Sequence, residues 1–186
     1  MHVAVVTPPA PIITLARAKS QLQVEHSAQD DVISGYVAAA TQFLDGPDGY
    51  LRRSIGQQVL AATVYDFPIC GRPGDGLVLP YPPVQGVNDI TYTDASGAVV
   101  HVDPDAYELT TDGRLRLTYG QSWPCRRGRL DPITITFTAG YLVVPAPILT
   151  AILLHVTAMF DAGDEGAGFP KAARDLVSGT YRLPRV

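Results

Sequence analysis

The chain has 186 residues, 46% of them hydrophobic and 17% charged, enough to bury a core of ordinary size in one domain or in one domain plus an insertion. A formal net charge of -4 and a sequence pI near 5.4 argue against a protein that coats nucleic acid, because no basic excess exists to neutralise phosphates. No stretch reaches the roughly 20 apolar residues of a membrane span, and Met1 to Ile13 lacks the basic start and apolar run of a signal peptide.

In chain order, a proline-rich arm, Pro8-Pro9-Ala10-Pro11, precedes Thr14, which is placed to cap a short helix with Leu15, Ala18 and Leu22 on one face. Gln23 to His26 read as a connector. Ser27 is then expected to cap a second helix. Asp30 and Asp31 lie near its positive end, and Val32, Ile33, Tyr36, Val37, Ala40, Phe43 and Leu44 form an apolar stripe that Gly46-Pro47 terminates. From Gln57 to Tyr141 the periodicity shortens. Val59–Phe67, Leu77–Leu79, Val87–Thr93, Ala98–Val102, Leu115–Tyr119 and Ile133–Thr138 are β-branched or aromatic runs between Gly, Pro and Asp clusters. Two of those breaks, Asp94-Ala95-Ser96-Gly97 and Thr111-Asp112-Gly113, read as hairpin connections, so the block is expected to be largely antiparallel. Pro145 and Pro147 suit the start of a third helix, about Ala146 to Asp161, so apolar that it must be packed on more than one side. Ala162 to Gly168 reads as a flexible loop, and Pro170 opens a last helix over Lys171 to Val177. The fold class is thus α+β. Residues 1–56 and 142–186 form a helical core with helices near 14–45, 146–161 and 171–177, and residues 57–141 an inserted, mainly antiparallel β block.

The search for catalytic or metal-binding chemistry returns little. His2, His26, His101 and His155 are scattered over an arm, a connector, a strand and a helix, without metal-ligand spacing, and His155 in its apolar helix reads as a hydrogen-bonded core or interface residue. Cys70 and Cys125 lack a CxxC or histidine-rich setting and read as free thiols. No GxSxG elbow or phosphate-cradling glycine loop occurs, and Cys125 has no evident base. Asp161, Asp164 and Glu165 lack the pattern of a calcium loop, and Arg126, Arg127 and Arg129 near Trp123 read as a solvated basic cluster, with nucleic acid or an acidic protein surface as the alternative. No catalytic, metal or cofactor site is expected.

Ile13-Thr14-Leu15-Ala16-Arg17-Ala18-Lys19, followed by Gln21-Leu22 and Asp30-Asp31-Val32-Ile33, resembles the first two helices of the phage head-tail connector family. Val144-Pro145-Ala146-Pro147-Ile148 with Ala151-Ile152-Leu153-Leu154-His155 resembles its third helix. Leu79-Pro80, Pro83-Val84 and Phe137-Thr138-Ala139-Gly140-Tyr141 are similar to strand patterns of longer members. Phe169-Pro170-Lys171-Ala172-Ala173-Arg174-Asp175-Leu176-Val177 and Tyr181-Arg182 resemble the family's ending. Two departures are Arg17, where the family often has an acid, and Asp161 to Gly168, which lacks a Tyr-Glu-Asn-Arg-like ending.

The resemblance implies a structural adaptor, a head completion protein of a tailed phage or gene transfer agent. It would form a ring of identical subunits on the portal protein and offer its other face to the next connector or tail protein. DNA would pass through the channel without sequence-specific binding. The location implied is the virion, and the host cytoplasm before assembly. The rival readings are a small hydrolase-like enzyme and a monomeric binding module. The portal-binding element is expected after the glycine-rich loop. There Lys171, Arg174, Arg182 and Arg185 stand against Asp175 alone in an otherwise acidic chain, with Leu176, Val177, Tyr181 and Leu183 as apolar anchors. A tail docked only on its partner would leave the melting transition nearly unchanged when cut before Pro170.

Overall fold

The computed structural model describes residues 1–46, 48–67, 76–124, 131–163 and 168–184. The chain divides into two compact units, residues 1–8 with 57–140, and residues 9–56 with 141–186.

The first unit is built of β1 (His2–Thr7), β2 (Gln58–Val64), β3 (Leu77–Val78), β4 (Val84–Thr93), β5 (Val99–His101), β6 (Tyr107–Leu109), β7 (Arg114–Leu117) and β8 (Ile133–Ala139). One sheet has the order β1-β2-β8-β4-β5 and the other β3-β7-β6, and every pairing is antiparallel. The period-2 pattern explains the central pair. Leu60, Ala62 and Val64 on β2 lie opposite Phe137, Ile135 and Ile133 on β8, all buried, while the intervening residues are only partly covered. Leu79, Ile90, Val102 and Leu115 complete this core.

Both expected hairpin turns form. Between β4 and β5 the Asp94 carboxylate accepts from the Ser96 and Ala98 amides at 2.8 and 3.0 Å. A bond from the Ser96 hydroxyl, above all, and these amide bonds hold its pKa below the ordinary carboxylate value. Between β6 and β7 the Thr110 amide donates to the Arg114 carbonyl at 2.9 Å, across a turn in which Gly113 takes φ +77°, a conformation that favours glycine. Residues 1–8, read with the helical part as an arm, instead supply edge strand β1, in which His2 to Thr7 pair with β2 over Val59 to Thr63. Five of these six residues are exposed, so β1 carries no alternating burial signal. Strand β6 was likewise not expected: three residues following the 3-10 turn Pro104–Ala106 are too few to show a period.

The second unit comprises α1 (Leu15–Leu22), α2 (Asp30–Leu44), α3 (Ala146–Ala162) and α4 (Lys171–Ser178). Thr14 caps α1 as expected, its hydroxyl accepting from the Arg17 amide at 3.3 Å. Ser27 does not cap α2. Its carbonyl accepts from the Asp30 amide at 3.2 Å in a turn, the helix begins at Asp30, and Gln29 occupies the cap position without a side-chain bond. Lys19 on α1 pairs with Asp30 at 2.6 Å and ties the two helices together at that point. Ile33, Val37, Ala40 and Leu44 form the buried stripe of α2. Helix α3 packs against α1, α2 and α4, burying Ile148, Ala151, Ile152, Leu153, His155 and Val156, which is why it lacks a polar half.

Candidate docking site

The second unit owes its most detailed polar construction to the segment after α2. The Asp45 carboxylate accepts from the Ile55 amide at 2.6 Å, the Gly46 amide donates to the Arg53 carbonyl at 2.8 Å, and the Tyr50 amide to the Phe43 carbonyl at 2.7 Å. The chain therefore doubles back over the end of α2. Gly49 makes this fold possible, because a Cβ there would stand 2.2 Å from the Asp45 carbonyl oxygen. The reversal buries Leu51, Ser54 and Ile55 and presents Tyr50, Arg52 and Arg53 to the C-terminal segment.

That segment is fastened to it by four contacts. The Tyr50 hydroxyl and Ser178 hydroxyl lie 2.8 Å apart, Arg53 Nε donates to the Tyr181 carbonyl, the Leu183 amide donates to the Leu51 carbonyl at 3.1 Å, and the Arg182 guanidinium sits 4.3 Å above the centre of the Tyr50 ring. Beneath, Phe43, Tyr50, His155 and Phe169 form an aromatic cluster, in which Phe43 stacks on Tyr50 at 6.0 Å while the remaining ring pairs are edge-on or tilted at 5.1 to 5.2 Å. A pocket of about 550 Å³ opens beside it, lined by Arg52, Ser178, Arg182, Leu183 and Pro184.

The residues expected to bind the portal thus separate into three groups. Lys171, Arg174, Leu176 and Arg182 are exposed, with Lys171 3.8 Å from Asp175 and an Arg174 Nη donating to the Phe169 carbonyl at 3.4 Å. Tyr181 and Leu183 are half-buried against their own unit. Val177 is fully buried with Ala173 in the helical core, so it is a core residue and not a free anchor. The expectation of a tail that can be cut away without affecting the melt is therefore corrected: α4 completes the core. Arg185 lies outside the described residues. Sequence reasoning missed Tyr50, Arg52 and Arg53, although an Arg-Arg pair in an acidic chain was a usable signal.

The other candidates are placed as follows. His155 is buried, and burial lowers its pKa below the ordinary value. Among the described residues its Nδ1 meets no hydrogen-bond partner, and the rings of Phe43 and Phe169 lie edge-on to it. His101 on β5 lies 2.9 Å from Asp89 on β4, at the surface. His2 and His26 are exposed, and no cluster of metal-ligating side chains occurs among the described residues. Trp123 stacks on Phe67 at 4.7 Å. Cys70, Cys125, Arg126, Arg127, Arg129, Asp164 and Glu165 lie outside the described residues, and Asp161 is exposed at the end of α3. Among the described residues no helix is long and apolar enough to cross a membrane.

Residues 12–70 match the model of the phage gp6-like head-tail connector protein family. This stretch is similar to that family over about a third of the chain. It contains α1, α2 and the reversal that carries Tyr50, Arg52 and Arg53. The whole chain is similar in fold to solved structures of gene transfer agent particles. It matches a chain in the neck of the empty particle, computed with C6 symmetry, at TM-score 0.77 and 22% identity. It matches one in the native virion at 0.76 and 22%, and one in the native neck, computed with C12 symmetry, at 0.67 and 20%. Each alignment covers 100% of this chain and 97% of the other. No curated protein matches the chain. The family match over residues 12–70 and the shared fold of the whole chain bear out the resemblance drawn from the sequence and the α+β class.

Proposed function

We propose that this protein is a head-tail connector adaptor that forms a ring of identical subunits between the portal and the next connector or tail protein, and keeps a channel open for DNA. The observation that carries the reading is the full-length fold match to neck structures solved with ring symmetry, joined to the family match at residues 12–70. Rings of one chain need head-to-tail interfaces that close by rotation. Exposed apolar residues such as Leu142, Val143 and Leu176 in the helical unit are material for such contacts.

The portal-facing element we assign to Lys171, Arg174, Leu176 and Arg182, with Tyr181, Leu183 and Arg185 alongside. Their positive charge in an acidic chain suits an acidic partner surface. The subunit acts in the virion and waits in the host cytoplasm before assembly.

Deleting the gene in the producing strain tests the role. Electron micrographs should show heads and tails that fail to join. Normally joined particles would refute it.

A further inference from the structure

The pocket beside the tail has a composition that the adaptor role does not by itself require. Among its described lining residues are two arginines brought together from distant parts of the chain, Arg52 from the reversal after α2 and Arg182 from the C-terminal segment. Neither has an ion-pair partner among the described residues. Arg182 is positioned over the Tyr50 ring, and the backbone around it is pinned by the Arg53 to Tyr181 and Leu183 to Leu51 bonds. Arg52 takes φ +55°, a left-handed conformation that strains an ordinary L-residue and that glycine would adopt freely. A strained residue with a long cationic side chain in the wall of a pocket is an observation from which function can be argued.

We propose that this pocket is a carboxylate-binding site, which takes an aspartate or glutamate side chain on an extended segment of the partner protein. The proposal rests on the adaptor reading and deepens it by naming what the docking surface recognises. Guanidinium groups present paired donors that match a carboxylate. Leu183 and Pro184 make part of the wall apolar, suited to the side chain beside the acid. A nucleic acid backbone is the weaker fit. It is bound by extended basic surfaces that neutralise many phosphates, and this chain has a net charge of -4.

The test is fluorescence anisotropy of the full chain with two labelled probes, a peptide of alternating glutamate and leucine and a single-stranded oligothymidylate. The proposal expects the peptide to bind, Arg52→Glu and Arg182→Glu each to weaken it about tenfold or more, and Arg52→Lys to retain most of it. Because Arg182→Glu also removes the contact with Tyr50, Arg52→Glu carries the decision if the tail loosens. Peptide binding that is absent, or unchanged in Arg52→Glu, overturns the proposal. So does oligothymidylate binding more tightly than the peptide with its loss in the same variants, which makes the pocket a nucleic-acid site. Cosedimentation of the same variants with the portal separates the two levels. If peptide binding falls in Arg52→Glu and portal binding does not, the pocket stands and the docking assignment fails. If Leu176→Asp loses the portal while Arg52→Glu binds the peptide as the parent does, docking stands and the pocket fails.

Discussion

The two units bury their cores by different means. The β unit draws nearly all of its residues from one continuous stretch. On its central strands buried Leu60, Ala62, Ile135 and Phe137 alternate with partly covered Ala61, Thr63, Thr134 and Thr136. The helical unit joins two stretches that the β block separates in sequence, and it is closed by its last elements, α4 and the segment pinned to Tyr50, Leu51 and Arg53. The comparison teaches that the same C-terminal stretch serves two ends. It completes a core with Ala173 and Val177, and it displays cationic groups on the outside.

The largest effect expected from this difference is that of cutting the chain before Pro170. Removing fully buried Val177 together with half-buried Phe169 and Tyr181, at about 1.5–3 kcal/mol for a large side chain fully buried and about half that for the other two, should destabilise the helical unit by on the order of 5 kcal/mol. Hydrogen exchange should show α1, α2 and α3 losing protection while β2, β4 and β8 keep theirs. Unchanged protection in the helices would mean that the tail is dispensable after all. The converse change is Phe137→Ala, which empties a fully buried site in the β core and should cost about 3–5 kcal/mol. Here the strands should lose protection and the helices keep it. Equal losses in both units would show that they unfold as one.

How far the sequence anticipates these differences depends on the range of the signal. Period-2 burial on β2 and β8, the cap at Thr14 and the turns at Asp94 and Gly113 are local, and each is legible because neighbouring residues determine it. β1 was not, since its partner Val59 to Thr63 lies beyond both helices and its own residues are mostly exposed. The candidate docking surface was half legible. The cationic tail is visible as composition, but Arg52 and Arg53 acquire meaning only when Gly49 lets the chain reverse and the tail returns to meet them. The apolar pattern of α4 gave Val177 the appearance of an anchor, because a buried position and a binding position use the same residue types.

Smaller changes sharpen the picture within the helical unit. Thr14→Ala removes the side-chain cap of α1 and should cost about 1 kcal/mol in chemical denaturation, with no effect on exchange in the strands. The smallest expected effect is a pH dependence from His155. Burial holds its pKa below the ordinary 6.5, so the unfolded chain takes up this proton more readily than the folded one. Its contribution to stability is therefore complete above pH 6.5 and is lost as the pH falls from there through the folded-state value. The melting temperature of the helices should drop over that window, and His155→Leu should flatten the drop. A parent protein whose helices melt at the same temperature across the window would contradict this account of the buried ring.

The most direct test of the adaptor role is electron cryomicroscopy of the purified chain mixed with the portal protein of its own particle. The account predicts a ring of added density seated on the portal, with an open central channel and the C-terminal segment at the contact. Portal particles without added density, with the chain remaining a monomer in solution, would contradict it.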